Sequence, residues 1–310
     1  MKKLLLALCL LFSATLSAQT AADWEGLKRT ANFFMANDMG RNGYYEQKPI
    51  AELMGRMAEV IGPECVFAAG DIHHFWGVAS TQDPLWMTNF EEIYTHPELM
   101  IPWYPILGNH EYRGNTQAVI DYSKVSRRWM MPARYYSKTF DEDGVTLRFI
   151  MIDTTPLIDR YREKPEKYHD AAEQDINAQL TWLEEELKNA KEDWIIVMGH
   201  HPIYAETPKE ESERANMQER VGKILARYNV DIYAGGHIHN FQHVNPKGSK
   251  TDFVVNSAAS LAREVAPIEG TQFCSPEEGF SVIAADKKEL DLHFINKEGK
   301  VIYTVKRIKK

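Results

Sequence analysis

The sequence is poor in the features that would mark a disulfide scaffold, a membrane protein or a nucleic-acid binder. Only three of its 310 residues are cysteine, and one of them, Cys9, sits in an N-terminal apolar stretch. Two cysteines, Cys65 and Cys274, are too few for a disulfide framework, and sequence leaves open whether they pair or stay as thiols. Basic residues are outnumbered, 36 Lys and Arg against 44 Asp and Glu, for a net charge of -8. That balance repels nucleic-acid backbones. The basic tail at Lys306, Arg307, Lys309 and Lys310 reads as a solvated end. No apolar run reaches the ~20 residues that a membrane anchor needs. Neither a Gly-x-x-x-x-Gly-Lys loop nor a Gly-x-Ser-x-Gly elbow occurs, so nucleotide-driven and serine chemistry have no support.

The N-terminus has the grammar of an export signal. Lys2 and Lys3 give a basic start, residues 4–12 are apolar, and residues 13–18 are small and polar. This pattern predicts a signal peptide over 1–18, cut after Ala18, and an exported protein, periplasmic or secreted. Leu8 before Cys9 is not the small residue that a lipid anchor favours. The remainder, 19–310, is read as a single domain. Its 44% apolar and 26% charged residues suit a globular chain with a sizeable core.

Five short apolar runs, at 32–36, 66–69, 104–107, 194–198 and 232–234, read as buried strands of an α/β protein. Helical patterns at 49–61, 171–190 and 210–228 alternate with them, and Leu180, Leu183, Leu187 and Ala190 recur at helical spacing. Residues 252–256, 280–284, 289–295 and 301–308 read as consecutive strands, suggesting the antiparallel part of a second sheet. Gly299 marks a hairpin turn between the last two.

Each of the five runs ends in polar residues of one kind. They are Asn37-Asp38, Gly70-Asp71-Ile72-His73-His74, Gly108-Asn109-His110-Glu111, Gly199-His200-His201-Pro202 and Gly235-Gly236-His237-Ile238-His239. Eight of the 11 histidines lie in or beside these segments. Ligands of open α/β sheets bind at the carboxyl ends of strands. Gly-Asp or Gly-His-His-Pro alone is a weak signal, since most such pairs are turns. Asn within Gly-Asn-His-Glu is sharper. Together, in this order, they point to a metal site of carboxylate, amide and imidazole donors, a set suited to Fe, Zn or Mn. Two ions held close together would make hydroxide from water at neutral pH, and that hydroxide would attack phosphorus. His110, beside a candidate ligand but free itself, is placed to hold or protonate the leaving group.

The combination resembles the calcineurin-like metallophosphoesterases and, more narrowly, the small animal-type (tartrate-resistant) purple acid phosphatases. The resemblance runs from about residue 32 to 306 and includes residues 108–112 and 122–129 outside the ligands themselves. It implies a four-layer αββα sandwich of two mixed sheets flanked by helices. It also implies two divalent ions, with Asp71 as bridge, Asp38, His74 and His239 on one ion, and Asn109, His200 and His237 on the other. The implied activity is hydrolysis of small phosphomonoesters. A phosphodiesterase or nucleotide hydrolase on the same core is one alternative, and a non-catalytic phosphate- or partner-binding protein is another.

Two departures from that family matter. The family carries an iron-binding Tyr three residues after the bridging Asp, where this chain has His74. Without tyrosinate the protein is expected to be colourless. The family's further substrate-facing His beyond Tyr204 is also missing. His201 and Glu206 are candidates to replace it, and His243 is a candidate pocket residue; a structural role is the alternative for each. Asp153 is expected to cap a loop or support the site, and Phe75 and Trp76 to wall the pocket or join the core.

Overall fold

The computed structural model describes residues 23–309, so the leader read at 1–18 lies outside the described residues. The strands, in chain order, are β1 (Ala31–Met35), β2 (Val66–Ala69), β3 (Trp103–Ile106), β4 (Tyr136–Glu142), β5 (Val145–Met151), β6 (Trp194–Met198), β7 (Ile232–Gly235), β8 (Phe241–Val244), β9 (Asp252–Asn256), β10 (Thr271–Ser275), β11 (Gly279–Ala285), β12 (Glu289–Asn296) and β13 (Val301–Ile308). They form one sheet in the order β13-β12-β11-β1-β2-β3 and another in the order β10-β8-β9-β7-β6-β5-β4. Both sheets are mixed, with parallel pairs at β1-β2-β3 and β5-β6-β7-β9 and antiparallel strands at one edge of the first sheet and both edges of the second. The architecture is the expected α/β sandwich.

Aromatic rings lock the two sheets together. Phe33 of the first sheet meets Phe140 and Phe149 of the second edge-on, with centroids 4.9 and 5.0 Å apart, and Phe67 stacks on Phe149 at 4.1 Å. These rings are buried or packed against buried residues, and each fully buried one contributes about 1.5–3 kcal/mol of transfer free energy. Helix α1 (Gln47–Ile61) buries Ile50, Leu53, Met54 and Met57 on one face and ends at Gly62, whose left-handed φ of 62° lets its N–H reach Ala58 O. Helix α2 (Ile176–Asn189) buries Leu183 and Leu187.

Several boundaries differ from the sequence expectation for identifiable reasons. The second helix starts at Ile176 rather than 171, because Asp175 caps it by accepting from Ala178 N. The third is broken: an α-helix, α3 (Glu211–Met217), passes into a wider π-type turn over Gln218–Gly222. The four C-terminal runs, expected together as the antiparallel part of a second sheet, divide between the two sheets. β11, β12 and β13 complete the first sheet, because β11 pairs antiparallel with the free edge of β1, while the run at 252–256 lies in the other sheet. Cys65 and Cys274 are both free thiols. No described helix is long and apolar enough to cross a membrane.

Candidate metal centre

Parallel strands share a direction, so the carboxyl ends of β1, β2 and β3 open at one edge, and those of β6, β7 and β9 open at the same place in the facing sheet. All the candidate ligands converge there and all are buried: Asp38 0%, Asp71 1%, His74 3%, Asn109 3%, His200 0%, His237 3% and His239 3% exposed. The loops carrying them are tightly wound. Asp38, Asp71, His237 and His239 adopt left-handed φ values of 55°, 54°, 77° and 59°. Non-glycine residues rarely take that conformation, and such strain gathers at functional sites. Glycine is needed where loops touch: a Cβ on Gly70 would sit 2.5 Å from His200 Nδ1, and one on Gly108 would sit 2.3 Å from Asp71 Oδ1.

The donors fall into two overlapping sets around Asp71, drawn from four groups whose ligand atoms lie within 4.8 Å of one another: Asp38, His74 and His239; Asp71, His74 and His110; Asp38, Asp71 and His200; and His200, His201 and His237. Around His200 Nε2 lie Asp71 Oδ2 at 3.2 Å, His237 Nδ1 at 3.2 Å and Asn109 Oδ1 at 3.3 Å. On the other side, His74 Nε2 is 3.4 Å from Asp71 Oδ2, and His239 Nε2 is 3.8 Å from Asp38 Oδ1. Ligands about 2.1 Å from a tetrahedral ion stand roughly 3.4 Å apart, so this spacing suits ions. Asp71 faces both sets, as a bridge requires.

Each imidazole is held by its far nitrogen. His74 Nδ1 donates to Gly40 O (3.0 Å), His200 Nδ1 to Ala69 O (2.9 Å), and His239 Nδ1 to Leu261 O (3.1 Å), while His237 Nε2 donates to Glu213 Oε2 (3.0 Å). Since those partners only accept, the lone pairs are left on the nitrogens that face the centre. Asp38 Oδ1 and His74 Nε2 are buried with no hydrogen-bond partner. Leaving such atoms unmet is costly, and a cation is the partner that this donor set fits.

The electrostatics agree. Burial alone would raise the Asp71 carboxyl, but His200 and His110 outweigh it and hold it well below the usual range. Burial pushes His237 and His239 well below their ordinary value, which keeps them neutral and able to bind an ion. His200 is drawn up to about 9: burial opposes the shift, but Asp71 and Asp38 overcome it, a sign of how strongly the pocket attracts positive charge.

His110 Nδ1 donates to Phe75 O at 2.8 Å, and its Nε2 lies 3.8 Å from Asp71 Oδ2. Its side chain is 13% exposed, so the ring opens toward solvent. Of the residues considered in place of a second substrate-facing His, His201 offers a nitrogen within 4.8 Å of those of His200 and His237. His201 is fully buried, with Nδ1 bonded to Thr154 Oγ1 (2.8 Å) and Nε2 to Tyr161 (3.1 Å). His243 is committed to Tyr303 and Asp252 at 3.1 and 2.9 Å. Glu206 is tied through its backbone to the Gln242 amide; burial, and after it the Glu206 carboxylate, raises the Cys274 thiol on β10. Asp153 accepts from Tyr112 and so supports the loop after β3. Phe75 and Trp76 are 59% and 67% exposed, which excludes a core role.

Three supporting residues escaped sequence reasoning. Ser257, just after β9, donates to Asp38 Oδ2 (2.8 Å) and accepts from His239 N (2.6 Å). Glu213 on α3 holds His237, with Tyr161 and Arg160 donating to its other oxygen. Glu111 accepts four backbone N–H groups, from Gly108, Asp71, Ile72 and His73. Only Glu111 carried a signal, its place inside the Gly-Asn-His-Glu segment.

A buried two-ion donor set at the strand ends of a double sheet defines the class: a metal-dependent phosphoesterase. The chain belongs to the calcineurin-like phosphoesterase family, whose model matches residues 32–241. It is 29% identical over 316 residues to the tartrate-resistant acid phosphatase type 5 of Rattus norvegicus, covering 96% of this chain and 92% of that one. It is 30% identical over 288 residues to purple acid phosphatase 4 of Arabidopsis thaliana, covering 88% and 82%. Among solved structures, GAP50 of Plasmodium, described as the anchor in the inner membrane complex, superposes with a TM-score of 0.78 at 22% identity, covering 90% of this chain and 89% of that one.

Proposed function

We propose that the protein is an exported phosphomonoesterase of the acid phosphatase kind, nearest the animal-type branch, with His74 where that branch has its iron-binding Tyr. The observation that carries this reading is the meeting of seven buried donors with His110, an imidazole beside them that opens to solvent. Asp38, His74 and His239 would hold one divalent ion, Asn109, His200 and His237 the other, and Asp71 would bridge; Fe, Zn and Mn all suit these donors. When bound, the ions would supply Lewis acidity and a water acidic enough to attack phosphorus at neutral pH.

The chain's own residues would do the rest. The seven donors are at most 3% exposed, while the His110 side chain beside them is 13% exposed. With Nδ1 fixed on Phe75 O, His110 presents Nε2 to the leaving oxygen. Burial pushes this imidazole down to about 3, and an arriving phosphate dianion would draw it back up, because a nearby negative charge favours imidazolium. As imidazolium it would pass its Nε2 proton to the departing alkoxide. The basic and apolar leader at residues 2–12 supports export.

Shared fold alone does not distinguish an enzyme from a binding protein, since GAP50 is described as an anchor. The complete donor set favours an enzyme. The test is metal analysis together with turnover of p-nitrophenyl phosphate and bis(p-nitrophenyl) phosphate, in the natural chain and in Asp71→Asn. Metal-dependent hydrolysis preferring the monoester, abolished in Asp71→Asn, is expected. Turnover that survives the substitution sinks the two-ion reading, and preference for the diester sinks the monoesterase reading.

A further inference from the structure

One buried cation at this centre has no carboxylate partner among the described residues. Arg41 follows the Asp38 loop and is 7% exposed. Among the described residues, its guanidinium has a single polar contact, Nη2 to His239 Nε2 at 3.4 Å, and its Nε has none. The His239 nitrogen belongs to the donor set, so it is not a lasting partner for Arg41. Asp38 and Asp71 are near enough to act on Arg41 through space, but their carboxylates are directed at the imidazoles. A buried, unpaired guanidinium is costly.

The position of Arg41 is built rather than incidental. Arg41 N donates to Gln47 Oε1 at 3.0 Å, and Gly43 N donates to the same oxygen at 2.8 Å. Gln47 is in turn anchored to Asn89 O at 2.9 Å, and Asn42 N to Asn89 Oδ1 at 2.8 Å. The guanidinium lies 5.2 Å from the Phe75 ring centre and 6.0 Å from that of Tyr45, both exposed rings at the mouth. Two aromatic faces and a pinned loop hold the fork in place before any ligand arrives.

We infer that Arg41 contacts the non-bridging oxygens of the substrate phosphoryl group and selects dianionic phosphomonoesters over monoanionic diesters. This rests on the proposed phosphoesterase reading. A monoester offers two charges and three non-bridging oxygens, so a guanidinium can be met in addition to the ions; a diester offers one charge and only two such oxygens, the third position carrying a substituent.

The test uses the metal-loaded full chain, Arg41→Gln and Arg41→Lys. In Arg41→Gln, kcat/KM for p-nitrophenyl phosphate should fall by about 10- to 100-fold and that for bis(p-nitrophenyl) phosphate by less than about threefold, with Arg41→Lys in between. Inorganic phosphate, measured by calorimetry, should bind at least about tenfold more weakly to Arg41→Gln, with metal content unchanged. Equal loss on both esters, or loss of metal, overturns the assignment in favour of a structural role. Should the natural chain turn over neither ester, the proposed function fails on its own, and phosphate binding still decides for Arg41: equal affinity in the natural and Gln chains overturns it.

Discussion

Replacing Glu111 by Gln is the sharpest test of how the centre is held together. Glu111 Oε2 accepts from Gly108 N (2.7 Å) and Asp71 N (2.9 Å), and Oε1 from Ile72 N (2.9 Å) and His73 N (3.0 Å). The residue is fully buried, so no water can stand in. Gln has nearly the same shape, but one end of its amide only donates. Whichever way it turns, two backbone N–H groups lose their acceptor and meet another donor. Bonds to a charged group contribute about 1.5–3 kcal/mol each, so the loss is ~3–6 kcal/mol. One effect opposes this: the Asp71 charge repels that of Glu111, and Gln relieves it. Burial also raises the Glu111 carboxyl, but His73 and the backbone N–H of Gly108 hold it below its ordinary value, so attraction prevails over repulsion. Against a total stability of about 5–15 kcal/mol, the variant should be visibly weakened in urea titration. It should also lose metal, since the Asp71 loop is what Glu111 ties down. Glu111→Asp, which keeps the charge but shortens the arm, should lose less. If the Gln variant unfolds within about 1 kcal/mol of the natural chain and keeps both ions, the clamp argument is wrong.

Other predictions follow from the same geometry. With His74 as ligand, the iron-loaded protein should lack an intense visible charge-transfer band, and His74→Tyr loaded with ferric iron should acquire one; a purple natural protein would refute the ligand assignment. Glu213→Gln removes the charge behind His237 and should weaken metal binding by roughly 10- to 100-fold in a chelator competition, whereas unchanged affinity would reduce Glu213 to a packing role. Asp153 gives a pH signature in stability. Burial pushes its carboxyl up to about 7, against the pull of Tyr112 and Arg134. The folded chain therefore keeps a proton that the unfolded chain releases, and stability falls as pH rises between roughly 4 and 7, by at most ~4 kcal/mol. Asp153→Asn should flatten that fall in urea titrations across the window. An equal pH dependence in both proteins would show that Asp153 is not its source.

The fold was legible where one local signal decided it. The apolar runs that became β1, β2, β3, β6 and β7 are buried throughout or nearly so and are bounded by polar loops, so hydrophobicity alone marked them. β4 escaped notice because it is an edge strand with exposed positions, and β10 because only Ser275 on it is buried. Sheet membership of β11 to β13 depended on which edge β1 left open, a tertiary fact that no hairpin pattern contains.

The ligands were readable for a different reason than their supports. The candidate ligands are all Asp, Asn or His, and strand ends place them, so residue type and position coincide in the chain. A support is chosen by reach. Ser257 meets Asp38 across 219 residues, and its hydroxyl is one of many in the sequence. Glu213 reaches His237 from a helix whose one other acidic residue, Glu211, faces solvent, and no periodicity distinguishes the two. Arg41 is the extreme case. Three residues after a ligand, it looks like ordinary loop charge, and only its burial and lack of a carboxylate partner set it apart. The left-handed backbone at Asp38, Asp71, His237 and His239 gives the same lesson in reverse. Each of these residues would be more comfortable as glycine, so its presence there means that side-chain chemistry outweighed a backbone cost of about 1–3 kcal/mol per position. Strain is thus the structural counterpart of the motif: the sequence carries the donor types, and the price of aiming them appears only in the folded chain.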